Sequence, residues 1–378
     1  MIESMLKNNN DEKNQFFIDY IIHDIKDKDH IEKNLKERKN ISHQLIENNI
    51  RYHVIDHLDF WMRDNGPIFV IDRQAKQRKI IDFGFTNWTY YKSNEIPSII
   101  EEAVDRKIAN LINVPLIRSS IISEGGDREF NGDGVLMMVE HVEMQRNREN
   151  NFENREQLEW EMKRVFGKSA SKIIWLETEG LVDDQCSYRG KIPGTNFYGS
   201  YGTGGHIDEW CRFVDEKTIM LAYVPDFLND CISVENRRRL EQNYELLKKA
   251  TNVRGEPFTI IRVPVAPHVI HDVKKGDSVF DTLQEMTFED GSVIHPDETI
   301  QFIIASSYLN FLVTNNTVLV AKYYREGLPQ HVKETDEQVL KLFESVYPDR
   351  QIVQISTEAL NMGGGGMHCI TNQMPLLN

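Results

Sequence analysis

Four short segments of the chain combine glycine with a reactive or charged side chain. They are WMRDNGP at 61–67, EGGD at 124–127, GHIDE at 205–209 and GGGGMHC at 363–369. Glycine permits positive φ angles and lets the backbone come close to a ligand. A thiol, an imidazole and several carboxylates beside such backbone are the groups that nucleophilic and acid–base catalysis require.

Cys369 follows a run of four glycines, Gly363–Gly366. Such a run cannot hold a helix, and the residues after it, HCITNQMP, are typical of structured chain, so a ligand-facing loop is favoured over a flexible linker. A free thiol has a pKa of about 8.5 and becomes reactive beside a cation or an imidazolium. We predict that Cys369 is a nucleophile, and that Cys211 and Cys231 are inert.

His206 and Asp208 are separated by one residue, directly after two glycines. In a β-strand this spacing would place both side chains on one face. A histidine can give a proton to a leaving group and then take one from water. A lone buried histidine is usually structural, but the neighbouring aspartate and glycines favour a catalytic interpretation here.

Asp64 and Glu124 add carboxylates to the set. Asp-Asn-Gly-Pro at 64–67 is typical of a turn, but a turn does not explain Trp61 three residues before the aspartate. An aromatic face beside a carboxylate suits a flat cation. A guanidinium is such a cation, and carboxylates accept its N–H donors in pairs. We therefore predict that the thiol attacks a guanidinium carbon.

Composition limits the alternatives. The net charge is −15, with 44 basic and 59 acidic residues, which disfavours nucleic acid as the partner because phosphate binding needs a basic face. The four cysteines match no zinc pattern and are too few for a disulfide framework. No apolar run is long enough for a membrane helix, and the first residues do not resemble a signal peptide. We expect a cytoplasmic protein with a small cationic substrate and no membrane or nucleic-acid partner.

Strand-like and helix-like runs alternate along the chain, which predicts an α/β protein. The strand-like runs are RYHVI, PIFVI, KIIDFGF, GVLMMVEHV, KIIWL, TIMLAYV, FTIIRVPV, QFIIASSYLNFLV and TVLVAKYY. The helix-like runs are KERKNISHQLIENN, EIPSIIEEAVDRKIANL, NREQLEWEMKRVFG, ENRRRLEQNYELLKKA and ETDEQVLKLFESVYP. No linker divides the chain, so we expect one domain over residues 1–378. Residues 184–205 lack periodicity and predict a long loop that is either functional or disordered.

At these motifs the sequence resembles the family of agmatine deiminases and bacterial (Porphyromonas-type) peptidylarginine deiminases, which are guanidino-group-modifying enzymes. The segments that carry the resemblance are WMRDNGPIFV, IDFGFTNW, SEGGDREFNGDG, GGHIDEWCRFV, SYLNFLV and GGGGMHCITNQMP, spread over residues 61–375. The resemblance implies a five-bladed α/β-propeller (pentein) of pseudo-fivefold ββαβ units. It implies a hydrolase of C–N bonds in linear amidines, with the site on the central axis and no metal or organic cofactor.

The resemblance also implies a role for each matching residue. Cys369 would be the nucleophile, and His206 would protonate the departing ammonia and then activate water. Glu124 would support His206 and the substrate. The residues expected to bind or wall the substrate are Asp64, Asp208, Trp61 and Gly366.

Two segments depart from the family pattern. The usual N-terminal segment is not found in residues 1–50, and the loop before His206 is much longer. The substrate therefore stays open between agmatine, arginine and peptidyl-arginine, with Arg128, Arg189 or Arg212 available to bind a carboxylate. Further alternatives for the function are an amidinotransferase and a non-catalytic propeller that binds a partner protein. The oligomeric state is open and includes a homo-oligomer.

Replacing the predicted nucleophile gives a direct test. We expect Cys369→Ala to abolish turnover of a guanidino substrate without unfolding the protein, because alanine lacks the attacking thiol. Cys211→Ala is the matched control and should keep most of the activity. Full activity in Cys369→Ala, measured by ammonia release with circular dichroism to confirm folding, would refute the mechanism.

Overall fold

The α/β organisation expected from the alternating runs is present. A computed structural model describes residues 1–7, 16–38, 42–148, 150, 152 and 154–377. Its helices are α1 (Ile2–Lys7), α2 (Ile25–Lys36), α3 (His43–Asn49), α4 (Ile96–Glu102), α5 (Val104–Ile112), α6 (Glu140–Asn147), α7 (Arg155–Phe166), α8 (Cys231–Leu247), α9 (Ser278–Gln284), α10 (Gln330–Val346) and α11 (Glu358–Asn361).

The strands are short and spread along the whole described chain. They are β1 (Ile18–Ile22), β2 (Ile50–Val54), β3 (Ile68–Asp72), β4 (Gln77–Gly84), β5 (Leu116–Ile122), β6 (Glu129–Phe130), β7 (Val135–Val139), β8 (Lys172–Leu176), β9 (Phe197–Gly199), β10 (Cys211–Phe213), β11 (Thr218–Tyr223), β12 (Thr259–Pro264), β13 (Ile270–Lys274), β14 (Thr299–Ile303), β15 (Leu312–Val313), β16 (Thr317–Lys322) and β17 (Gln351–Ser356). The described helices include none long and apolar enough to cross a membrane.

Five three-stranded sheets share one pattern in the described part of the chain. In each, the central strand pairs antiparallel with one neighbour and parallel with the other. The central strands are β4, β7, β11, β14 and β16. A parallel neighbour needs a crossover, and helices supply it: α4 and α5 between β4 and β5, α6 and α7 between β7 and β8, α8 between β11 and β12, and α10 between β16 and β17.

The sheet centred on β14 is built differently. Its parallel partner β9 comes from the long segment 184–205, which precedes it in the chain. This segment is therefore an ordered part of the fold, with a 3-10 turn at Ser187–Arg189 and many buried residues. Asp184 ties its two ends together by accepting hydrogen bonds from the Thr203 hydroxyl at 2.8 Å and the Gly205 amide at 3.1 Å.

Most predicted elements are confirmed, and the differences have local causes. The run KIIWL coincides with β8. GVLMMVEHV is wrong as one strand, because β7 ends at Val139 and α6 begins at Glu140. QFIIASSYLNFLV is likewise divided between β14 and β15. Parts of KERKNISHQLIENN lie in α2 and α3, and its residues 39–41 lie outside the described residues.

The end of the chain packs against the segment that begins the first large sheet. The Arg63 amide donates to the Cys369 carbonyl at 2.9 Å. The Asn372 side chain donates to the carbonyls of Met62 and Pro67 at 3.2 and 2.8 Å. These contacts join residues about 300 positions apart in the chain, as the sequence separations of 310 and 305 show.

One glycine of the run at 363–366 is required by a close backbone approach. Gly364 has φ +103°, and a Cβ built on it would lie 2.1 Å from the carbonyl oxygen of Tyr201. We expect Gly364→Ala to destabilise the protein by more than the about 1–3 kcal/mol that strained backbone alone costs. Gly276→Ala is the matched control, because Gly276 has φ +93° with no atom within 4 Å of the added Cβ. Equal losses in chemical unfolding of the two variants would contradict this contact.

Candidate active site

The structure brings the predicted site residues together in its interior. Asp64, Glu124, His206, Asp208 and Cys369 are all buried, none more than 6% exposed. Each lies on a turn or loop, and several precede the first strand of a sheet: Asp64 before β3, Glu124 before β6, and His206 before β10. The backbone of a turn or loop is not paired in a sheet, so segments next to different sheets can direct their side chains at one point.

His206 is held as a cation between carboxylates. Its Nε2 lies 3.1 Å from Oε2 of Glu124, and its Nδ1 lies 3.7 Å from Oδ2 of Asp64. Burial disfavours the charged ring, but the charge of Asp64 and the hydrogen bond and charge of Glu124 outweigh it and raise the pKa of His206 to about 10. At neutral pH the imidazolium is therefore ready to give a proton.

Glu124 is kept ionised by a residue that the sequence motifs did not indicate. The Arg146 Nε donates to both carboxylate oxygens of Glu124 at 2.8 Å, and neither side chain is exposed. Burial opposes the charge, but the Arg146 guanidinium and the bond to His206 lower the pKa of Glu124 to about 2. Arg146 lies in α6, where an amphipathic pattern gives no sign of a site residue.

Asp64 is fixed by two donors from different parts of the chain. The Trp88 indole Nε1 donates to its Oδ2 and the Gly126 amide to its Oδ1, both at 2.8 Å. Gly126 must lack a side chain, because its Cβ would lie 2.4 Å from Nδ1 of His206. The motifs do not identify Trp88 as a site residue, although it lies in the segment IDFGFTNW that supports the family resemblance.

The expected strand at His206 and Asp208 is wrong, and a 3-10 turn at Ile207–Glu209 takes its place. The two side chains still face the same site, but they contact different partners. Oδ2 of Asp208 lies 2.6 Å from Nδ1 of His368. Burial, with the nearby Asp64 charge adding to it, raises the pKa of Asp208 to about 7. Its Oδ1 is buried with no hydrogen-bond partner among the described residues.

The surroundings of Cys369 differ from the cationic environment expected for a reactive thiol. Its sulfur lies 3.7 Å from Oε1 of Glu209 and 3.8 Å from Oδ2 of Asp208. Burial, followed by the charges of Asp208, Glu209 and Asp64, raises the pKa of the Cys369 thiol well above its usual range. The free site therefore favours a protonated thiol, and a cation placed among these carboxylates would favour the thiolate.

Trp61 and the glycine run enclose the thiol. Trp61 packs with Phe85, Trp88 and Cys369 in one buried cluster. A Cβ on Gly365 would lie 2.8 Å from the Trp61 ring and 2.9 Å from the Cys369 sulfur. A Cβ on Gly366 would lie 2.5 Å from Oδ1 of Asn310. The run is thus close-packed against the site.

The three arginines considered for a substrate carboxylate already have partners. Arg128 donates to the Ser123 hydroxyl and lies over the Phe83 ring, 4.3 Å from its centroid. Arg212 pairs with Glu129 and donates to the Leu309 carbonyl. Nη2 of Arg189 lies 3.1 Å from Nε2 of His141.

Asp208, Glu209 and Cys369 also form a donor set that a metal ion could use. Their ligand atoms lie within 4.8 Å of one another. A thiolate with two carboxylates would suit a borderline-soft divalent cation. The expectation that the chemistry needs no metal stays a prediction.

Comparisons with known proteins agree with the resemblance carried by the motifs. A model of the family described as Porphyromonas-type peptidyl-arginine deiminase matches residues 3–375. The agmatine deiminase of Pseudomonas putida is 26% identical over 339 residues, covering 89% of this chain and 80% of the relative. The agmatine deiminase of Medicago truncatula is 26% identical over 341 residues, covering 88% and 80%.

Solved structures share the fold. The agmatine deiminase of Enterococcus faecalis has a TM-score of 0.68 at 21% identity, covering 99% of this chain and 86% of that one. The agmatine deiminase of C. jejuni has a TM-score of 0.64 at 21% identity, covering 100% and 86%.

The charge on His206 predicts a pH-dependent stability. Because its pKa is raised from 6.5 to about 10 on folding, its contribution is fully present below pH 6.5 and is lost as the pH rises through 10. We expect the difference in Tm between the wild-type protein and His206→Gln to shrink from pH 6 to pH 10. His295→Gln, at an exposed position, is the control and should show no such trend. A His206→Gln difference that stays constant over this range would contradict the buried imidazolium.

Proposed function

Because the chain belongs to the family of Porphyromonas-type peptidyl-arginine deiminases, we propose that it hydrolyses a guanidinium group and that its substrate is agmatine. The reaction converts agmatine and water to N-carbamoylputrescine and ammonia. The observation that carries the proposal is the buried grouping of one thiol with Asp64, Asp208 and the His206–Glu124 pair.

The charges of the site favour a cationic substrate. Burial, followed by the carboxylates of Asp208, Glu209 and Asp64, raises the pKa of the Cys369 thiol. Oδ1 of Asp208 is buried without a hydrogen-bond partner in the described part of the chain. A guanidinium is planar, carries a positive charge and has several N–H donors. It would offset the carboxylates and also donate to the unpartnered oxygen of Asp208. Asp64 and Asp208 are the proposed partners of its nitrogens.

The same charge prepares the nucleophile. A guanidinium bound beside Cys369 offsets the carboxylates and lowers the pKa of the thiol. The thiolate sulfur attacks the guanidinium carbon and forms a tetrahedral adduct. The adduct expels ammonia by breaking one C–N bond and leaves an amidino group on the sulfur. Trp61 and Gly366 are the proposed walls that hold the planar group in place.

His206 is the proposed acid and base. Its charged ring gives the Nδ1 proton to the departing nitrogen, since Nε2 faces Glu124, and the neutral ring then removes a proton from water. The hydroxide adds to the amidino carbon, and the C–S bond then breaks and restores the thiolate. The hydroxyl proton of the adduct passes to the released ammonia, which leaves as ammonium beside the ureido product. Glu124, itself fixed by Arg146, keeps His206 charged until it gives its proton in the first step.

Agmatine is preferred over arginine in this proposal. An arginine carboxylate would need a free cation, whereas Arg128 and Arg212 are bonded within the protein and Arg189 contacts His141. The matched relatives include agmatine deiminases from Pseudomonas putida and Medicago truncatula, which supports the same choice.

We also propose that the chain is a single domain in which the five similar sheets are the blades of a five-bladed α/β-propeller. The contacts of Cys369 and Asn372 with residues 62–67 support closure of such a ring, because they join the last segment to the one before the first blade. Residues that precede the first strands of different sheets meet at the site, as they would on a central axis. We further propose a cytoplasmic location.

An assay with three substrates tests the function. We expect ammonia and a ureido product from agmatine, at a rate at least about tenfold above those from arginine and from a peptide with a C-terminal arginine, since an uncompensated carboxylate in an acidic site is costly. Cys369→Ala should release none.

Other outcomes would change the conclusion. No ammonia from any substrate, with the Cys369 thiol intact, would rule out the hydrolase. Faster turnover of arginine or the peptide would overturn the choice of agmatine. Putrescine formed without ammonia, and only when an amine acceptor is added, would indicate an amidinotransferase.

A further inference from the structure

Asn310 touches the reactive sulfur, although none of the reactive motifs includes it. It lies between β14 and β15, in the segment SYLNFLV, and is 4% exposed. Its backbone is fixed by Ser307, whose hydroxyl accepts from the Asn310 amide at 3.2 Å and donates to the Glu209 carbonyl at 2.6 Å. The side chain is therefore held where it faces the nucleophile.

All the hydrogen-bonding groups of this side chain are used at the site. Oδ1 of Asn310 accepts from the amides of His368 at 2.9 Å and Cys369 at 3.4 Å. These two bonds assign the other atom as nitrogen, since backbone amides only donate. Nδ2 donates to the Cys369 sulfur at 3.0 Å and to Oε1 of Glu209 at 2.9 Å.

The close approach of Asn310 explains one of the glycines. A Cβ on Gly366 would lie 2.5 Å from Oδ1 of Asn310 and 3.1 Å from its Cβ. A side chain at position 366 would push the amide away from the sulfur. The glycine run and Asn310 thus form one packed unit around Cys369.

We propose that Asn310 is a catalytic residue of the deimination, which orients the Cys369 sulfur and stabilises its thiolate through the Nδ2 hydrogen bond. This inference rests on the proposed function for the reaction, but the effect on the thiol does not depend on it. Hydrogen bonds to an ionised acceptor are stronger than those between neutral groups, so the bond from Nδ2 strengthens as the thiol loses its proton.

The charges around the sulfur give this donor its importance. The groups that face it from the neighbouring segments are the carboxylates of Asp64, Asp208 and Glu209, and the adjacent His368. Burial, followed by the charges of Arg212 and Arg63, lowers the pKa of His368 well below its usual range, so its ring adds no cation at neutral pH. The backbone N–H of Gly366 is a second neutral donor to the sulfur. The Asn310 amide thus favours the thiolate, which the three acidic groups disfavour. It does so without adding a positive charge that would repel a cationic substrate.

Asn310 also bonds to Glu209, the acidic neighbour of the sulfur. Nδ2 bonds to the same oxygen, Oε1, that lies 3.7 Å from Sγ of Cys369. Burial, followed by the charges of Asp208 and Asp184, raises the pKa of Glu209 well above its usual range. One amide therefore connects the nucleophile with its nearest acidic neighbour.

Asn310→Asp tests the donor while keeping the shape. Aspartate preserves the oxygen that accepts from residues 368 and 369, but it places an oxygen where Nδ2 donates to the sulfur. We expect the alkylation of Cys369 by iodoacetamide at pH 8 to slow by about 10- to 100-fold, the size of one hydrogen bond to a charged group. The pH profile of that reaction should move to higher pH, and kcat for agmatine should fall by a similar factor while KM does not rise.

Two controls separate this effect from general damage. Asn243→Asp puts the same carboxylate at another buried asparagine, whose side chain donates to the Thr178 carbonyl, and should leave the reactivity of Cys369 unchanged. The prediction that Cys231 is a buried, inert cysteine is wrong, because the residue is exposed. Its alkylation, resolved by peptide mass spectrometry, should be equal in all variants. Asn310→Ser removes the amide without adding a charge. If Asn310→Asp does not fold, the alkylation of Cys369 is measured in Asn310→Ser instead.

The outcomes distinguish this proposal from the proposed function. A slower, alkaline-shifted alkylation of Cys369 supports the role of Asn310 even if agmatine is not a substrate. Folded Asn310 variants whose Cys369 alkylation, pH profile and kcat all stay within about twofold of the wild-type values would overturn it.

Discussion

The buried ion group of Arg146, Glu124, His206 and Asp64 is the interaction on which the rest of the site depends. An isolated charge is costly to bury, so each member is stable only because an oppositely charged member contacts it. Arg146 bonds to both oxygens of Glu124, and Glu124 and Asp64 lie on either side of the His206 ring. This arrangement keeps His206 charged at neutral pH in the interior of the protein.

Outside the ion group, acidic side chains lie near the sulfur of Cys369. Asp208 and Glu209 approach the sulfur, and no described cation contacts it directly. Burial and these neighbours favour the protonated thiol, and in the proposed reaction the positive charge of the substrate offsets them. In the proposed reaction such a site selects a cationic substrate, because a neutral molecule would neither offset the carboxylates nor lower the pKa of the thiol.

Close backbone contacts make this density of groups feasible. Gly126 allows His206 to reach Asp64, Gly365 allows Trp61 to reach the thiol, and Gly366 allows Asn310 to reach the sulfur. The segments that meet here come from turns before several sheets and from the end of the chain. The helices and sheets behind them supply the rigid support, with central strands such as β7 buried along their whole length.

The sequence by itself determined the types of group present, the α/β rhythm and the family. Runs such as KIIWL identified strands because their apolar pattern is local, and the motifs around Asp64, Glu124, His206 and Cys369 depend on residues that are adjacent in the chain. Only the tertiary structure decided what surrounds each group. The Arg146–Glu124 pair, the contact of Trp88 with Asp64 and the contact of Asn310 with Cys369 join residues 22, 24 and 59 positions apart. The pKa of a buried group depends on such long-range neighbours and on burial, which the local sequence does not reveal. The motifs therefore left open that the Cys369 thiol lies among carboxylates and not beside a cation.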